Sequence, residues 1–274
     1  MNTLHSSMLG AIRTAVTLLT VTLLAACAAA PTVPPAARSE LAPTGKLRVG
    51  LLVTNPVYVT KDGEAAAIQG IAVDLGRELA KQLGVPFEPV RYRNLAKLLD
   101  GAKGDWDVAF IGFEPTRAAY MDFTAPYIEV GNSYLVPAAS SIRSVGDADR
   151  KGVRIAATPR SAQDVFLSRN LKQAEIVRPA SIAAGLDLLA ASKVHAVVGN
   201  RVTLTDWASK KPGLRLVEGS IFNVGQAIAV AKGRPAGTAY AKRFIEYAKA
   251  SGLVQQAIER SRLQGLSVAA ASAY

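Results

Sequence analysis

The sequence predicts an α/β fold made of two lobes, with two hinge crossings and a cleft between the lobes. Signals for β-strands and α-helices alternate along residues 46–137, and the same alternation restarts after Gly152. Two apolar helical stripes near the C-terminus, which contain Phe244 and Ile258, have no strands of their own. Because these helices need a sheet to cover, we expect the chain to return to the first lobe.

Residues 1–27 have the layout of a secretory signal peptide. A weakly basic start precedes an apolar run over 15–26, which is shorter than the roughly 20 residues that a membrane-spanning helix needs. The run ends in LAAC, which resembles the bacterial lipobox, and its Cys27 is the single cysteine of the chain. We therefore expect Cys27 to be the lipidated mature N-terminus of a periplasmic or extracytoplasmic protein. Ordinary cleavage at the Ala-x-Ala site around Cys27 is the alternative.

The next segment, residues 28–44, is rich in Ala and Pro. This composition predicts a flexible, semi-extended tether, which suits a lipid-anchored domain. The folded body is then expected to divide into lobe 1, residues 45–136 and 226–274, and lobe 2, residues 137–225.

In lobe 1, strands are predicted over residues 46–53, 87–92, 107–111 and 226–230. Apolar residues recur at every fourth position from Ile71 to Leu83, which is the spacing of one helix face. Gly84 and Pro86 follow and are expected to end this helix. A shorter helix is predicted over residues 95–99.

Lobe 2 repeats this order, with strands predicted over residues 153–157, 176–178 and 196–198. One helix is expected to begin at Ser161 and another at Ser181, since Ser is a preferred N-cap residue. The crossings between the lobes are expected near residues 133–137 and 226–230. Ligands of α/β sheets bind beyond the carboxyl ends of the strands, and here these ends should face each other across the cleft.

The formal net charge is +11 and the pI is about 9.9. The basic residues are scattered, and no run is longer than a pair such as Arg150-Lys151. No nucleic-acid recognition motif accompanies them, and an exported protein rarely meets nucleic acid. We expect a solvated basic surface with a weak attraction for anionic ligands or acidic partners.

The motifs that accompany most enzyme and metal chemistry are missing. There is no P-loop, G-x-G-x-x-G, H-E-x-x-H, G-x-S-x-G or C-x-x-C. Beyond the signal peptide there is one histidine, His195, which precedes an apolar strand and is expected to be structural or exposed. Nucleophilic triads, metal sites and cofactors are therefore not expected. A pair of catalytic carboxylates is the enzymatic arrangement that the sequence leaves open, and its candidates are Glu114 and Asp122 near the expected cleft rim.

Five segments, taken in order, resemble one known family. They are GKLRVGLL from Gly45, NPVY from Asn55, GIAVDLGRELAKQLGV from Gly70, GDWDVAF from Gly104, and Arg117 followed by DFTAPY. The ordered set is similar to the bacterial family 3 extracellular solute-binding proteins, which serve ABC importers, mostly for polar amino acids. The resemblance covers residues 45 to about 266. It implies a type II periplasmic-binding-protein fold, a monomer without cofactors, and an ABC permease of the inner membrane as partner.

The resemblance also implies binding roles for four residues of lobe 1. The family's arginine that matches Arg117 grips the α-carboxylate of the ligand, since a guanidinium offers a two-pronged match that lysine lacks. The alternative is a surface arginine paired with Asp122. Asn55 and Tyr58 belong to the matching cleft motif, and Tyr92 is expected to supply the facing wall. Either tyrosine could equally belong to the core.

The loop before the helix that begins at Ser161 resembles the second-lobe carboxylate-binding loop of the family. There, backbone N–H groups at a helix N-terminus favour anions. Arg160 and Ser161 are predicted to bind the ligand, although Arg160 stands where Gly is frequent. Gly112 and Phe113 are also predicted site residues, and they replace hydroxyl residues that often precede the binding arginine.

Asn200 is predicted to bind the ligand and departs most from the family pattern. Amino-acid binders usually carry an Asp at this position, which pairs with the α-ammonium of the ligand. The predicted site has therefore lost a negative charge, and Arg160 adds a positive one. We hypothesise a ligand more acidic than a zwitterionic amino acid, such as an organic acid or a dicarboxylate. In the alternative, Arg160 points into solvent and another acid, such as Glu114, takes the ammonium.

These features predict the substrate-binding component of an ABC importer, which captures a small polar solute with a carboxylate by closing its lobes. The solute is an amino acid or an organic acid. One alternative on the same fold is a small-acid dehydratase similar to cyclohexadienyl dehydratase, for which Glu114 is the candidate general acid. The other alternative is a lipoprotein that senses a ligand.

Overall fold

The computed structural model describes residues 30–64, 67–263 and 266–272. The predicted signal peptide, with Cys27, lies outside the described residues. The strands are β1 (Leu47–Leu52), β2 (Phe87–Tyr92), β3 (Val108–Gly112), β4 (Met121–Phe123), β5 (Ile128–Pro137), β6 (Arg154–Ala156), β7 (Glu175–Val177), β8 (Ala196–Asn200), β9 (Leu214–Leu216), β10 (Asn223–Ala231) and β11 (Ser267–Val268). The α-helices are α1 (Pro35–Leu41), α2 (Ile71–Leu83), α3 (Leu95–Asp100), α4 (Ala162–Asn170), α5 (Ile182–Ala190), α6 (Arg201–Lys210), α7 (Pro235–Ala250) and α8 (Leu253–Ser261).

The sheet of lobe 1 is built around β1, which pairs in parallel with β2 and β3, while β10 pairs antiparallel with β3. Alternate strand residues point to opposite faces. Val49 and Phe110 pack in the core under α2, α7 and α8. Ala109 and Ile111 pack with Trp106 and α3 on the other face. The two tail helices therefore cover the lobe-1 sheet, as predicted.

The predicted helix over residues 71–83 is confirmed. Its apolar stripe from Ile71 to Leu83 is buried, and the chain leaves the helix at Gly84 with φ of 65°. This left-handed conformation favours glycine, which has no Cβ to clash. The position of α2 over β1 follows from this stripe.

In lobe 2, β6 pairs in parallel with β7 and β8, and β5 pairs antiparallel with β8. One face of this sheet packs on Leu167 of α4, and the other packs on Leu186 of α5 and Leu204 of α6. Both faces are thus covered, as the apolar character of the strands requires. The α/β architecture with two lobes is confirmed.

The crossings between the lobes lie a few residues earlier than predicted. Residues 128–131 of β5 pair with β10, whereas residues 132–135 pair with β8, so the first crossing lies between Gly131 and Asn132. The return crossing lies before Asn223, which pairs with Gly131. The predicted lobe boundaries at 136/137 and 225/226 therefore fall inside β5 and β10. One continuous strand serves both lobes, and a strand pattern does not show where its partner changes.

The prediction of a flexible tether over residues 28–44 is wrong for its second half. Helix α1 begins with a proline at its first position, where the missing N–H costs nothing, and it packs against α7. Leu41 is fully buried there. Glu40 Oε2 accepts a hydrogen bond from the Gly237 backbone N–H at 2.7 Å. The Ala and Pro composition hid a short helix that lobe 1 holds in place.

We expect Leu41→Ala to lower the free energy of unfolding by about 2–4 kcal/mol. The substitution removes a fully buried side chain and leaves a cavity against α7. Ser39→Ala on the exposed side of the same helix is the matched control, and we expect it to change little. Urea unfolding followed by circular dichroism measures both. Equal, small effects would mean that α1 is not part of the folded lobe.

Helix α6 and the short strands β4, β9 and β11 were not predicted from the sequence. The apolar residues of α6, Val202, Leu204 and Trp207, lack a regular helical spacing. The three strands have only two or three residues each, which is too short for a period to show. Among the described helices, none combines the length and the apolar character needed to cross a bilayer.

Candidate functional site

A cavity of about 270 Å³ lies between the lobes, at the carboxyl ends of β1, β3 and β8. This is where the topology of an α/β sheet leaves a crevice between its loops. The lining residues are Leu52, Thr54, Asn55, Val57, Tyr58, Arg93, Asn94, Leu95, Ile111, Gly112, Arg117, Asn132, Thr158, Ser161, Ala162, Gln163, Ala180, Ser181, Ile182, Ala183, Val198, Asn200, Thr203, Trp207, Val224 and Gln226.

The helices of lobe 2 begin at this cavity. Ser161, Ser181 and Asn200 are the N-cap residues of α4, α5 and α6, and the side-chain oxygen of each accepts a hydrogen bond from a backbone N–H of the first turn. All three residues line the cavity. Because a helix N-terminus carries a partial positive charge, this wall favours a negative charge.

Arg117 brings a full positive charge to the opposite wall. It lies in the one-turn 3₁₀ helix that follows β3, and only 3% of it is exposed. Its Nη1 donates to the Gly112 carbonyl oxygen at 2.6 Å, and its Nη2 donates to the Arg160 carbonyl oxygen at 2.7 Å. No carboxylate of the described residues forms an ion pair with it. Burial lowers the pKa of Arg117, because removal from water disfavours the charged form.

The alternative of a surface arginine paired with Asp122 is wrong. Asp122 instead pairs with Lys232, with Oδ1 and Nζ 2.5 Å apart. Arg117 lines the cavity and is buried. Its guanidinium therefore faces the cleft and not the protein surface.

Tyr58 both lines the cavity and belongs to the core of lobe 1. Its hydroxyl donates to Gln226 Oε1 at 2.5 Å. Burial raises the pKa of Tyr58 to about 12, and the nearby charge of Arg117 acts in the opposite direction. Tyr58 therefore stays protonated at neutral pH and holds Gln226 in a fixed orientation.

Hydrogen bonds join the two lobes across the cavity, so the cleft is closed. They run from Thr203 Oγ1 to Asn55 Oδ1 at 3.2 Å, from Asn94 Nδ2 to the Ala180 carbonyl oxygen at 3.3 Å, from Arg160 Nη1 to Asp100 Oδ1 at 3.0 Å, and from Arg117 to the Arg160 carbonyl oxygen. Most of these bonds are single and partly exposed, so they resemble the contacts of a movable interface.

Tyr92 and Phe113 are not among the residues that line the cavity, contrary to the prediction. Tyr92 ends β2, the outermost strand of lobe 1, and its hydroxyl donates to Asp105 Oδ2 at 3.2 Å. Phe113 follows Gly112 and points to the other side, where it is 44% exposed and packs edge-on against Phe123. The edge-on contact with Phe123 of β4 holds the Phe113 ring outside the cavity.

The Arg160 side chain is also absent from the lining. Arg160 has a positive φ of 62°, and its side chain turns to the rim, where it pairs with Asp100 of lobe 1. This hydrogen bond raises the pKa of Arg160. Only its carbonyl oxygen reaches the site, through Arg117. Arg160 therefore helps to close the cleft, and its guanidinium is paired with Asp100 at the rim and does not line the cavity.

Glu114 does not supply an acid to the cavity. It is the N-cap residue of the 3₁₀ helix that carries Arg117, and its Oε2 accepts a hydrogen bond from Thr116 N at 2.9 Å. Glu114 is not among the lining residues. The geometry gives no support to Glu114 as the partner of an ammonium group or as a general acid in the cleft.

Of the predicted residues, the structure brings together Asn55, Tyr58, Gly112, Arg117, Ser161 and Asn200 at the cavity. Sequence reasoning missed the lining residues Asn94, Thr203 and Trp207. Asn94 precedes a predicted helix and caps it, which is a usable signal. Thr203 and Trp207 lie on α6, which was not predicted, so no signal pointed to them.

A family model described as "Bacterial extracellular solute-binding proteins, family 3" matches residues 47–261. This range includes both lobes and every cavity residue. The chain belongs to this family, as the sequence motifs indicated. Its two-lobed α/β structure is the type II periplasmic-binding-protein fold.

The chain is similar to the ABC transporter glutamine-binding protein GlnH of Bacillus subtilis, with 22% identity over 196 residues, which are 70% of this chain and 71% of the relative. Among solved structures, a mutant of ArgBP from T. maritima has a TM-score of 0.70 at 24% identity and covers 82% of this chain and 98% of its own. The ancestral amino-acid-binding protein AncCDT-1, a precursor of cyclohexadienyl dehydratase, has a TM-score of 0.69 at 22% identity and covers 81% and 97%. These likenesses support the shared fold.

Proposed function

We propose that the chain is the substrate-binding component of an ABC importer and captures a small solute through its carboxylate. The main observation behind this proposal is the guanidinium of Arg117. It is buried and lines the cavity, and no carboxylate among the described residues forms an ion pair with it. Burying an unpaired charge costs several kcal/mol, and a ligand carboxylate would remove this cost. Its relatives, which include a glutamine-binding protein of an ABC transporter, support the importer role.

In the proposed mechanism, the ligand carboxylate meets Arg117 first, on lobe 1. The lobes then close, and the N-termini of α4, α5 and α6 approach the same carboxylate from lobe 2. Closure forms the rim bond between Arg160 and Asp100. A permease in the membrane would recognise this closed shape, with one monomer delivering one solute.

The chain is proposed to bind its solute without converting it. The dehydratase alternative relied on Glu114, which caps the Arg117 turn and is not among the lining residues. Incubation of small acids with the pure protein, followed by mass spectrometry, checks this. Stoichiometric recovery of unchanged acid supports a binding protein, and a product that accumulates over many turnovers would contradict it.

Trp207 offers a direct test of the cavity. It lines the cavity, whereas the second tryptophan, Trp106, is fully buried in lobe 1. Titration with a carboxylate should change Trp207 emission, and the matched carboxamide, which lacks the charge, should not. Trp207→Phe should abolish the signal. Thermal shift gives a second readout, since a ligand at a hundred times its Kd adds about 2.7 kcal/mol of stability. Equal responses to acid and amide would contradict carboxylate capture.

Lipid anchoring through Cys27 completes the proposed role. A lipid on the N-terminus would keep the protein beside its permease. We expect Cys27→Ser to move the exported protein from the membrane fraction to the soluble fraction. Immunoblotting of fractionated cells and the mass of the mature N-terminus measure this. Ser39→Ala in helix α1 is the control, and we expect it to leave the distribution between the two fractions unchanged. An unchanged distribution would favour ordinary signal cleavage.

A further inference from the structure

Among the described residues, the cavity lining contains two arginines and no Asp or Glu. Arg93 lies at the mouth, where its side chain is 78% exposed and its Nη2 pairs with Asp62 Oδ2 at 2.9 Å. The charge of Arg93 is therefore balanced outside the cavity. Arg117 forms no ion pair with a carboxylate among the described residues, although the charge of the buried Glu114, outside the lining, raises its pKa against the lowering by burial. The cavity wall therefore presents one cation without a direct counter-ion.

Backbone partners fix the orientation of two cavity amides. Asn55 Oδ1 accepts from the Val57 N–H at 3.1 Å, and Asn200 Oδ1 accepts from the Thr203 N–H at 2.8 Å. A backbone N–H can donate only to the oxygen of a side-chain amide. These two bonds therefore fix which amide atom of each side chain is Oδ1 and which is Nδ2. Neither Nδ2 donates to a residue in the described part of the chain, and both side chains line the cavity. Both are open donors.

The side-chain amide oxygens of Gln226 and Asn132 already accept hydrogen bonds from other residues of the protein. Gln226 Nε2 donates to a backbone carbonyl oxygen at 2.9 Å, and its Oε1 accepts from the Tyr58 hydroxyl. Asn132 Nδ2 donates to two backbone carbonyl oxygens at 3.2 Å, and its Oδ1 accepts from Gln163 Nε2 at 2.5 Å. Of these cavity amides, Gln163 alone keeps an oxygen without a donor. Among the side-chain amides of the cavity in the described part of the chain, the open groups are thus two donors, on Asn55 and Asn200, and one acceptor, on Gln163.

We infer that the cavity selects small monocarboxylates that lack an amine and carry an apolar body. The inference rests on the proposed function and narrows its ligand class. A bound ammonium group would need acceptors, and it would share the cavity with the cation of Arg117, which forms no ion pair with a carboxylate among the described residues. A single carboxylate balances that charge. Ile111, Ile182, Val198 and Trp207 line the remaining space and suit an apolar body.

Matched pairs of acids test this inference by isothermal calorimetry on the full folded protein. The pairs are 4-methylpentanoate with L-leucine, 3-phenylpropanoate with L-phenylalanine, and glutarate with L-glutamate. We expect the amine-free member of a binding pair to bind at least 10-fold tighter, with a monocarboxylate tightest. An amine-bearing member that binds as tightly overturns the inference and leaves carboxylate capture intact. Tightest binding of glutarate overturns the single-charge assignment. Binding of no carboxylate overturns the proposed function itself.

Asn200→Asp gives the sharper version of this test. Asp also accepts the cap hydrogen bond from Thr203, so α6 keeps its N-terminus, and its second oxygen replaces the open Nδ2 donor with a charged acceptor. We expect the preference for the amine-free acid to fall at least 10-fold. Asn170→Asp, an exposed residue at the end of α4 and outside the lining, adds the same charge and should leave the preference unchanged. Circular dichroism verifies folding. An unchanged preference in Asn200→Asp overturns the inference.

Discussion

Arg117→Ala is expected to weaken carboxylate binding by about 2–5 kcal/mol, which is roughly 30-fold to several thousand-fold in Kd. The substitution removes the one cation of the cavity that has no carboxylate partner among the described residues. A carboxylate enclosed between the lobes would then be buried without a counter-charge, so its desolvation would be uncompensated. Arg117→Lys keeps the charge but loses the two-pronged geometry, and we expect an intermediate loss. Calorimetry or Trp207 emission measures both.

The matched control for this prediction is Arg93→Ala. Arg93 also lines the cavity, but its side chain is 78% exposed and is already paired with Asp62. We expect this variant to lose less than about 1 kcal/mol of binding, as is usual for exposed ion pairs. Both variants should unfold within a few degrees of the parent protein, because Arg117 makes no ion pair in the described fold. Affinity retained in Arg117→Ala would remove the central element of the proposed function.

Much of the fold could be predicted because strands that are buried on both faces of a parallel sheet consist of continuous apolar residues, which are visible in the sequence. The apolar runs of β1 and β3 and the stripe of α2 are examples, and the structure confirms them. The sequence pattern did not predict helix α1 or the position of the lobe crossing inside β5. Their positions depend on contacts with α7 and β8, which lie far along the chain.

The candidate site was predictable where a residue's role follows from its own place in an element. Ser161 and Asn200 cap helices at the ends of strands, so their approach to the cleft follows from topology. Arg160 was predicted wrongly, because its positive φ turns the side chain to the rim and leaves only the carbonyl oxygen at the site. The occupied acceptors of the cavity could not be predicted, because the bonds from Tyr58 to Gln226 and from Gln163 to Asn132 join segments that are distant along the chain.

Asp107→Ala is expected to lower the free energy of unfolding by about 3–5 kcal/mol, the usual cost of breaking a buried ion pair from one side. Asp107 is fully buried just before β3. Its Oδ1 accepts from Arg48 and Arg234, each at 2.8 Å, and its Oδ2 accepts from the Arg48 N–H at 2.9 Å. One carboxylate thus joins β1, β3 and the start of α7. Without it, two largely buried arginines would lose their counter-charge. Asp107→Asn keeps the shape and should lose less.

Glu88→Ala is the matched control, since Glu88 pairs with Lys46 on the same sheet but both side chains are at least 40% exposed. We expect it to cost no more than about 1 kcal/mol. Urea unfolding measures these variants, and ligand titration below the unfolding transition separates stability from binding. Because Asp107 lies at the far end of β3 from Gly112 and Arg117, we expect the folded Asp107→Ala protein to keep its affinity. A loss of affinity without a loss of stability would show instead that Asp107 positions Arg117 through β3.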